Sequence, residues 1–142
     1  LLRRYCDGRT LILGAQSGSD RILAALGRGH DAEAVERAVA LSVEAGFEPW
    51  VDFVFGLPGE EEADREATRL QLARLADRGA RIHAHAFMPL PGTPWQHEPP
   101  GAIDPQTGLL LDRLASRGRA HGPWRTQQAI AHRTRSRAPA GG

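Results

Sequence analysis

Two histidines one residue apart, His83 and His85, stand in the otherwise apolar stretch RIHAHAF. On an extended chain alternate side chains share a face. Both rings then point the same way as Phe87, while Ile82, Ala84 and Ala86 point the other way, as suits packing under helices. Such a pair can hold a metal ion or move a proton, and equally it can be two hydrogen-bonded histidines. Asp52 raises a related question. It interrupts the apolar run WVDFVF, and a buried carboxylate needs hydrogen-bond donors or a cation, which an arginine in the interior would also supply. Gln16, in GAQSGSD, closes another apolar run, where an amide needs partners. Ser17 and Ser19 beside it read more simply as a turn and a helix cap.

These residues lie on or just beyond short apolar runs. TLILG (10–14), WVDFVF (50–55) and ARIHAHAF (80–87) have the length and composition of buried strands. Between them the spacing predicts helices: SDRILAAL capped by Ser19, a second helix capped by Asp31 and stopped by Gly46, and a longer one over 61–78. Asp104 caps a further helix to about residue 117, and 122–131 can hold a short last one. Strands separated by helices imply parallel pairing with right-handed crossovers. Three strands cannot close a barrel and leave two unpaired edges, so the expected fold is α/β, a portion of a larger parallel sheet or barrel. In that fold the loops leaving the strands, GAQSGSD, GLPGEE and MPLPGTP, share one rim, the end at which ligands bind. The glycines of GLPG would let a backbone approach closely, and the glutamates suit the start of the next helix.

Composition narrows the function. The chain has 142 residues, a formal net charge of +1 and 18 basic residues, all arginine. Near-neutrality argues against a dedicated nucleic-acid binder, although the part after residue 100 is basic. The single cysteine, Cys6, cannot form an internal disulfide or a cysteine-based metal site, and it reads as inert. No apolar run approaches the ~20 residues that span a bilayer, so no membrane partner is expected and the default setting is reducing and cytoplasmic. His30, His97, His121 and His132 read as surface or loop residues, and Trp95 and Trp124 as packing residues.

Taken in order, GAQSGSDRILAALGRGH, VDFVFGLPGEEEADREAT and RIHAHAFMPLPGTP resemble the second half of a radical S-adenosylmethionine (SAM) core domain. The likeness is nearest to proteins with a cobalamin-binding domain ahead of that core. It implies the C-terminal portion of a parallel (β/α) partial TIM barrel, strands four to six. The division would be 1–103 for the half barrel, 104–132 for a helical extension and 133–142 for a disordered tail. The resemblance further implies SAM, a [4Fe-4S] cluster held by three cysteines of C-x-x-x-C-x-x-C, and an external electron donor. Reductive cleavage of SAM would start radical chemistry on a substrate. By likeness to oxygen-independent coproporphyrinogen oxidases, Gln16 with Ser17 beside it, Arg28 and Asp52 match positions that contact SAM. Phe87 and Met88 match the segment along adenine, and Val54 to Gly56 would wall the same pocket. His83 and His85 would face substrate as catalytic candidates, and no metal ligands are assigned.

The departure is the missing three-cysteine motif. The expectation is therefore a fragment of a longer enzyme that contributes SAM-binding and substrate-facing walls, is inactive and poorly folded alone, and needs an N-terminal half that holds the cluster; cobalamin would sit in a separate domain. Two rivals stand beside it. One is a metal-dependent barrel hydrolase using His83 and His85, for which only Asp52 offers a further ligand. The other is a degenerate, non-catalytic barrel half acting as an interaction module.

Overall fold

The computed structural model describes the backbone of residues 2–6 and 8–137 and the side chains of 8–133. In chain order the elements are β1 (Leu2–Cys6), β2 (Thr10–Gln16), α1 (Asp20–Ala25), α2 (Ala32–Glu44), β3 (Glu48–Phe55), α3 (Glu62–Asp77), β4 (Arg81–Ala86), α4 (Pro105–Ser116), β5 (Ala120–His121) and α5 (Trp124–Arg137). The strands form one sheet in the order β1-β2-β3-β4-β5. β2 to β5 are parallel, and β1 runs antiparallel along the outer side of β2. Adjacent parallel strands joined through helices are the layout of a partial (β/α) barrel.

Alternation along the strands decides which face the helices cover. Val51, Phe53 and Phe55 of β3 and Ile82, Ala84 and Ala86 of β4 join Leu13 and Ala15 of β2 in the main core. Val35 and Val39 of α2, Leu72 and Leu75 of α3, and Leu111 and Leu114 of α4 pack onto them. Phe53 is fully buried, which alone is worth about 2–3 kcal/mol of apolar transfer. Helix starts fall where the caps predict: Ser19 accepts from the Ile22 N–H at 3.3 Å, Asp31 from Ala34 at 2.8 Å and Asp104 from Thr107 at 3.1 Å.

The structure departs from the sequence reading at both edges. Among the described residues five strands are present where three were expected. β1 carries two arginines in five residues and so lacks an apolar signature, and β5 is two residues long. Gly122 ends β5 with φ +126, and a β-carbon there would collide with the carbonyl oxygen of Ala84, so this residue has to be glycine. Beyond it α5 lies along β4, and the Ala86 N–H donates to Oε1 of Gln127 at 2.8 Å, where a longer β5 would have bonded. Trp124 is a packing residue as expected, and it joins the same core as the sheet. The expected disordered tail, 133–142, is helical through Arg137; residues 138–142 lie outside the described ones.

Gly56, in the turn after β3, also answers to packing. Its φ is +75, and a β-carbon would lie 2.7–2.8 Å from the backbone of Gly101 and Ala102. The 99–102 loop, rather than a ligand, makes the close approach that this glycine permits.

Candidate functional site

The carboxyl ends of β2, β3 and β4 open onto one cleft of about 480 Å³. Gln16 enters from the end of β2, Arg28 from the loop after α1, Val54 and His85 from β3 and β4, and Phe87 and Met88 from the segment leaving β4. Leu26, Leu57, Leu90 and Trp95 add apolar wall, and Trp95 meets Phe87 edge to face at 5.6 Å. An adjoining hollow of about 360 Å³ shares Leu26, Phe87, Met88, Leu90 and Trp95 with it. The size and the mix of apolar wall with a few convergent polar groups are those of a small-molecule site.

Gln16 is the local anomaly. Its φ is +72, the sole non-glycine residue in the left-handed region among those described, and the β2–β3 register shifts between Gly14 and Gln16. A bulge of this kind re-aims a side chain at a strand end, and backbone strain of this sort clusters at functional sites. The Arg28 guanidinium reaches back to the Gly14 carbonyl at 3.5 Å, and His30, expected at the surface, is half-buried with its ring 3.4 Å from the Ala15 carbonyl.

Three of the sequence candidates lie elsewhere. Ser17 is buried behind the rim, 3.5 Å from the Thr68 hydroxyl and accepting from the Ser19 N–H at 3.1 Å. It belongs to the network that fixes the start of α3, where Ser19 donates to Asp64 at 2.6 Å and Arg21 pairs with the same carboxylate. The Arg21 guanidinium, then Ser19 and the Glu61 N–H, hold the Asp64 carboxyl down at about 2. Gly56 lines a separate hollow beside the 98–102 loop. In the same hollow Glu60 is pushed up to about 7, chiefly by burial, against the opposing pull of Arg65.

Asp52 lies one step below the cleft floor, on the face of the sheet opposite the one packed under α2, α3 and α4. Asp52 and His83 are direct partners across β3 and β4, as are Val54 and His85. Nδ1 of His83 lies 3.0 Å from Oδ1 of Asp52, and Nε2 of His85 lies 3.2 Å from that same Nδ1. A histidine is thus one partner of the buried carboxylate. The rings of His83 and His85 meet at 77°, with centroids 4.3 Å apart. His121, read from sequence as a surface residue, stacks on His83 at 4.8 Å and meets Trp50 at 4.6 Å. Burial, then the charges of His83 and Arg81, lower the pKa of His121. Sequence patterning gave no signal for His121 or for Gln127, which also lines the cleft, because each is placed by the return of the chain after α4.

An uncharacterized protein of Methanopyrus kandleri is 33% identical over 102 residues, 71% of this chain and 20% of its own length. The tRNA-2-methylthio-N(6)-dimethylallyladenosine synthase of Halorhodospira halophila is 35% identical over 109 residues, 75% of this chain and 23% of the relative. Its namesake in Sphingopyxis alaskensis is 42% identical over 86 residues, 59% of this chain and 19% of the relative. The chain therefore spans about a fifth of the length of these relatives. The family model described as Radical SAM superfamily matches residues 1–72, half of the 142-residue sequence, and the chain belongs to that superfamily.

Proposed function

We propose that this chain supplies the SAM-binding and substrate-facing walls of a radical SAM enzyme. The reading is carried by one observation, the convergence of Gln16, Arg28, Val54, Phe87 and Met88 on a single cleft at the carboxyl ends of three parallel strands. The cleft suits the ligand. A guanidinium matches a methionyl carboxylate, an amide can donate or accept, and Phe87, Met88 and Val54 offer flat and apolar surface to a nucleoside. His85 lines the cleft and His83 stands below it, so a proton-donating or orienting role toward substrate falls first to His85. Ribose binding by Asp52 is the weakest part of the carry-over, since its carboxylate meets His83.

The iron–sulfur cluster is a different matter. Its donor set is three thiolates, and this chain has one cysteine, Cys6 in β1, so the residues present do not fit it and no step is assigned to it here. A cluster-bearing segment, an external electron donor and a cobalamin domain belong to the same proposal and rest on the resemblance, and a cytoplasmic setting belongs to it on the single cysteine and the lack of a long apolar run. No helix among the described residues is long and apolar enough to cross a membrane. The names of two relatives favour a second reading for the substrate, an adenosine in tRNA; the near-neutral charge of this chain favours a small molecule instead.

Calorimetric titration of the full chain with SAM tests the reading. Binding is expected, weakened at least about tenfold by Arg28→Ala and by Gln16→Ala, each of which deletes a charge-assisted or amide hydrogen bond. Equal affinity in wild type and both variants would reject it.

A further inference from the structure

We propose that Thr68 of α3 is a positioning residue for SAM binding: its hydroxyl, with Asp64 one turn earlier, holds the 16–19 loop in the strained shape that aims Gln16 into the cleft. This rests on the SAM reading above and adds to it a residue outside the cleft lining. Gln16 is the residue that needs holding. Its φ is +72, and across it the Ser17 N–H donates to the Ala15 carbonyl at 2.9 Å. A hydrogen bond of that span around a positive φ marks the rare and strained form of the γ-turn. A glutamine seldom adopts a left-handed conformation unaided, so the shape persists only where the surroundings over-determine it.

Helix α3 supplies those surroundings from 50 residues further along the chain. The Gly18 N–H donates to Oγ1 of Thr68 at 2.9 Å, and the Ser17 hydroxyl lies 3.5 Å from the same oxygen. Ser17 accepts from the Ser19 N–H at 3.1 Å, and Ser19 donates to Oδ1 of Asp64 at 2.6 Å. Arg21 closes the far end, donating to the Gly59 carbonyl at 2.7 Å and pairing with Asp64. Thr68 thus makes the contacts nearest to Gln16, and Asp64 acts one residue further on.

Burial gives these contacts their weight. Ser17, Ser19, Asp64 and Thr68 are all buried, so a lost partner leaves a polar group unsatisfied. A β-carbon on Gly18 would lie 2.6 Å from Cα of Thr68 and 3.0 Å from the Ala67 carbonyl oxygen, so the loop lies flush on the helix backbone. The helix in turn is anchored under the sheet by Leu72 and Leu75, both fully buried. Without the Thr68 hydroxyl the Gly18 N–H has no partner in place, and the loop gains by turning away. Gln16 then spends less time in its cleft-facing shape, and apparent affinity for SAM falls with the population lost.

Calorimetric titration of the full chain with SAM reads this out. Thr68→Val keeps the side-chain shape and deletes the hydroxyl; it is expected to weaken SAM about five- to tenfold, and Thr68→Ser to restore affinity to within about twofold. In a Gln16→Ala chain the same Thr68→Val change is expected to cost less than about twofold, since the residue it positions is gone. Thr107→Val deletes the hydroxyl of another buried threonine, one that accepts from Arg69 at 3.3 Å, and leaves SAM affinity unchanged. A merely structural role would not depend on Gln16. Unaltered affinity in folded Thr68→Val, no recovery in Thr68→Ser, or an equal loss in the Gln16→Ala chain would overturn the proposal. If Thr68→Val does not fold, amide exchange of the wild-type chain decides: the Gly18 amide is expected to exchange as slowly as the amides of β3, and an open-loop rate rejects the hold by Thr68. The free chain separates this proposal from the SAM reading. Without SAM, the amide and ¹³Cβ signals of Gln16 are expected to move in Thr68→Val and to return in Thr68→Ser; unmoved signals refute the positioning role whatever SAM does. A wild-type chain that binds no SAM rejects the SAM reading, while the Gln16 signals still decide whether Thr68 sets that residue.

Discussion

The two faces of the sheet follow different rules. Under the helices, Val51, Phe53, Phe55, Ile82, Ala84 and Ala86 are apolar and buried. On the other face the same two strands present Trp50, Asp52, Arg81, His83 and His85, polar or amphipathic and linked by hydrogen bonds and ring contacts. The covered face holds the fold together by area. The other face presents polar and ring contacts in place of a second apolar core. Even its imperfections fit this division, since the indole N–H of Trp50 is buried without a hydrogen-bond partner among the described residues. A smaller version of the contrast sits in the turn after β3, where Asp64 is gripped by Arg21 and Ser19 while Glu60 is buried with less compensation.

The sharpest way to break the comparison is within one strand. Phe53→Ala is expected to destabilise the chain by about 3–5 kcal/mol, and Val54→Ala, next to it on the open face, by less than about 1 kcal/mol. Denaturant midpoints measure both, and similar losses would mean that the contacts of Val54 with Ile22, Leu57 and Phe87 hold the fold as firmly as the core under the helices. Gly122→Ala comes next, at roughly 1–3 kcal/mol, since it combines a strained φ with a collision at Ala84. A full-strength variant would show that β5 can move away from β4.

Asp64→Asn is expected to lose roughly 1–3 kcal/mol at neutral pH, from unpairing Arg21 and Ser19. Because Asp64 is held at about 2, below its ordinary 3.8, its stabilisation is present above that ordinary value and lost as pH falls through 2. Acid unfolding of the variant lacks that slope. Glu60 has the opposite sign. Raised from 4.5 to about 7, it favours the folded state below its ordinary value and loses that contribution as pH rises to 7. Stability of Glu60→Gln, followed by thermal unfolding between these limits, is expected to be flatter with pH than that of wild type.

Much of the covered face was legible. Runs such as WVDFVF and the caps Ser19, Asp31 and Asp104 are local signals, and the elements they predict are present within a residue or two. The alternation in RIHAHAF also put His83 and His85 on the correct face. What escaped was set by distant pairing. β1 is defined by its partner β2 and not by its own composition, and β5 is too short to leave a pattern. At the site, Gln16 was readable from its loop and Arg28 from the resemblance, but Ser17 and Gly56 were not separable from them. One glycine or serine in a rim loop looks like another until Thr68 and the 99–102 loop are seen packed against it.

The glutamine that takes the Ala86 N–H has a consequence for life at high protein concentration. A sheet rim with free amides is a template on which another chain can add a strand and start an aggregate. With Gln127 occupying that amide, β4 offers no such foothold at its rim end, and a Gln127→Ala chain would be the one to watch for edge-to-edge clumping.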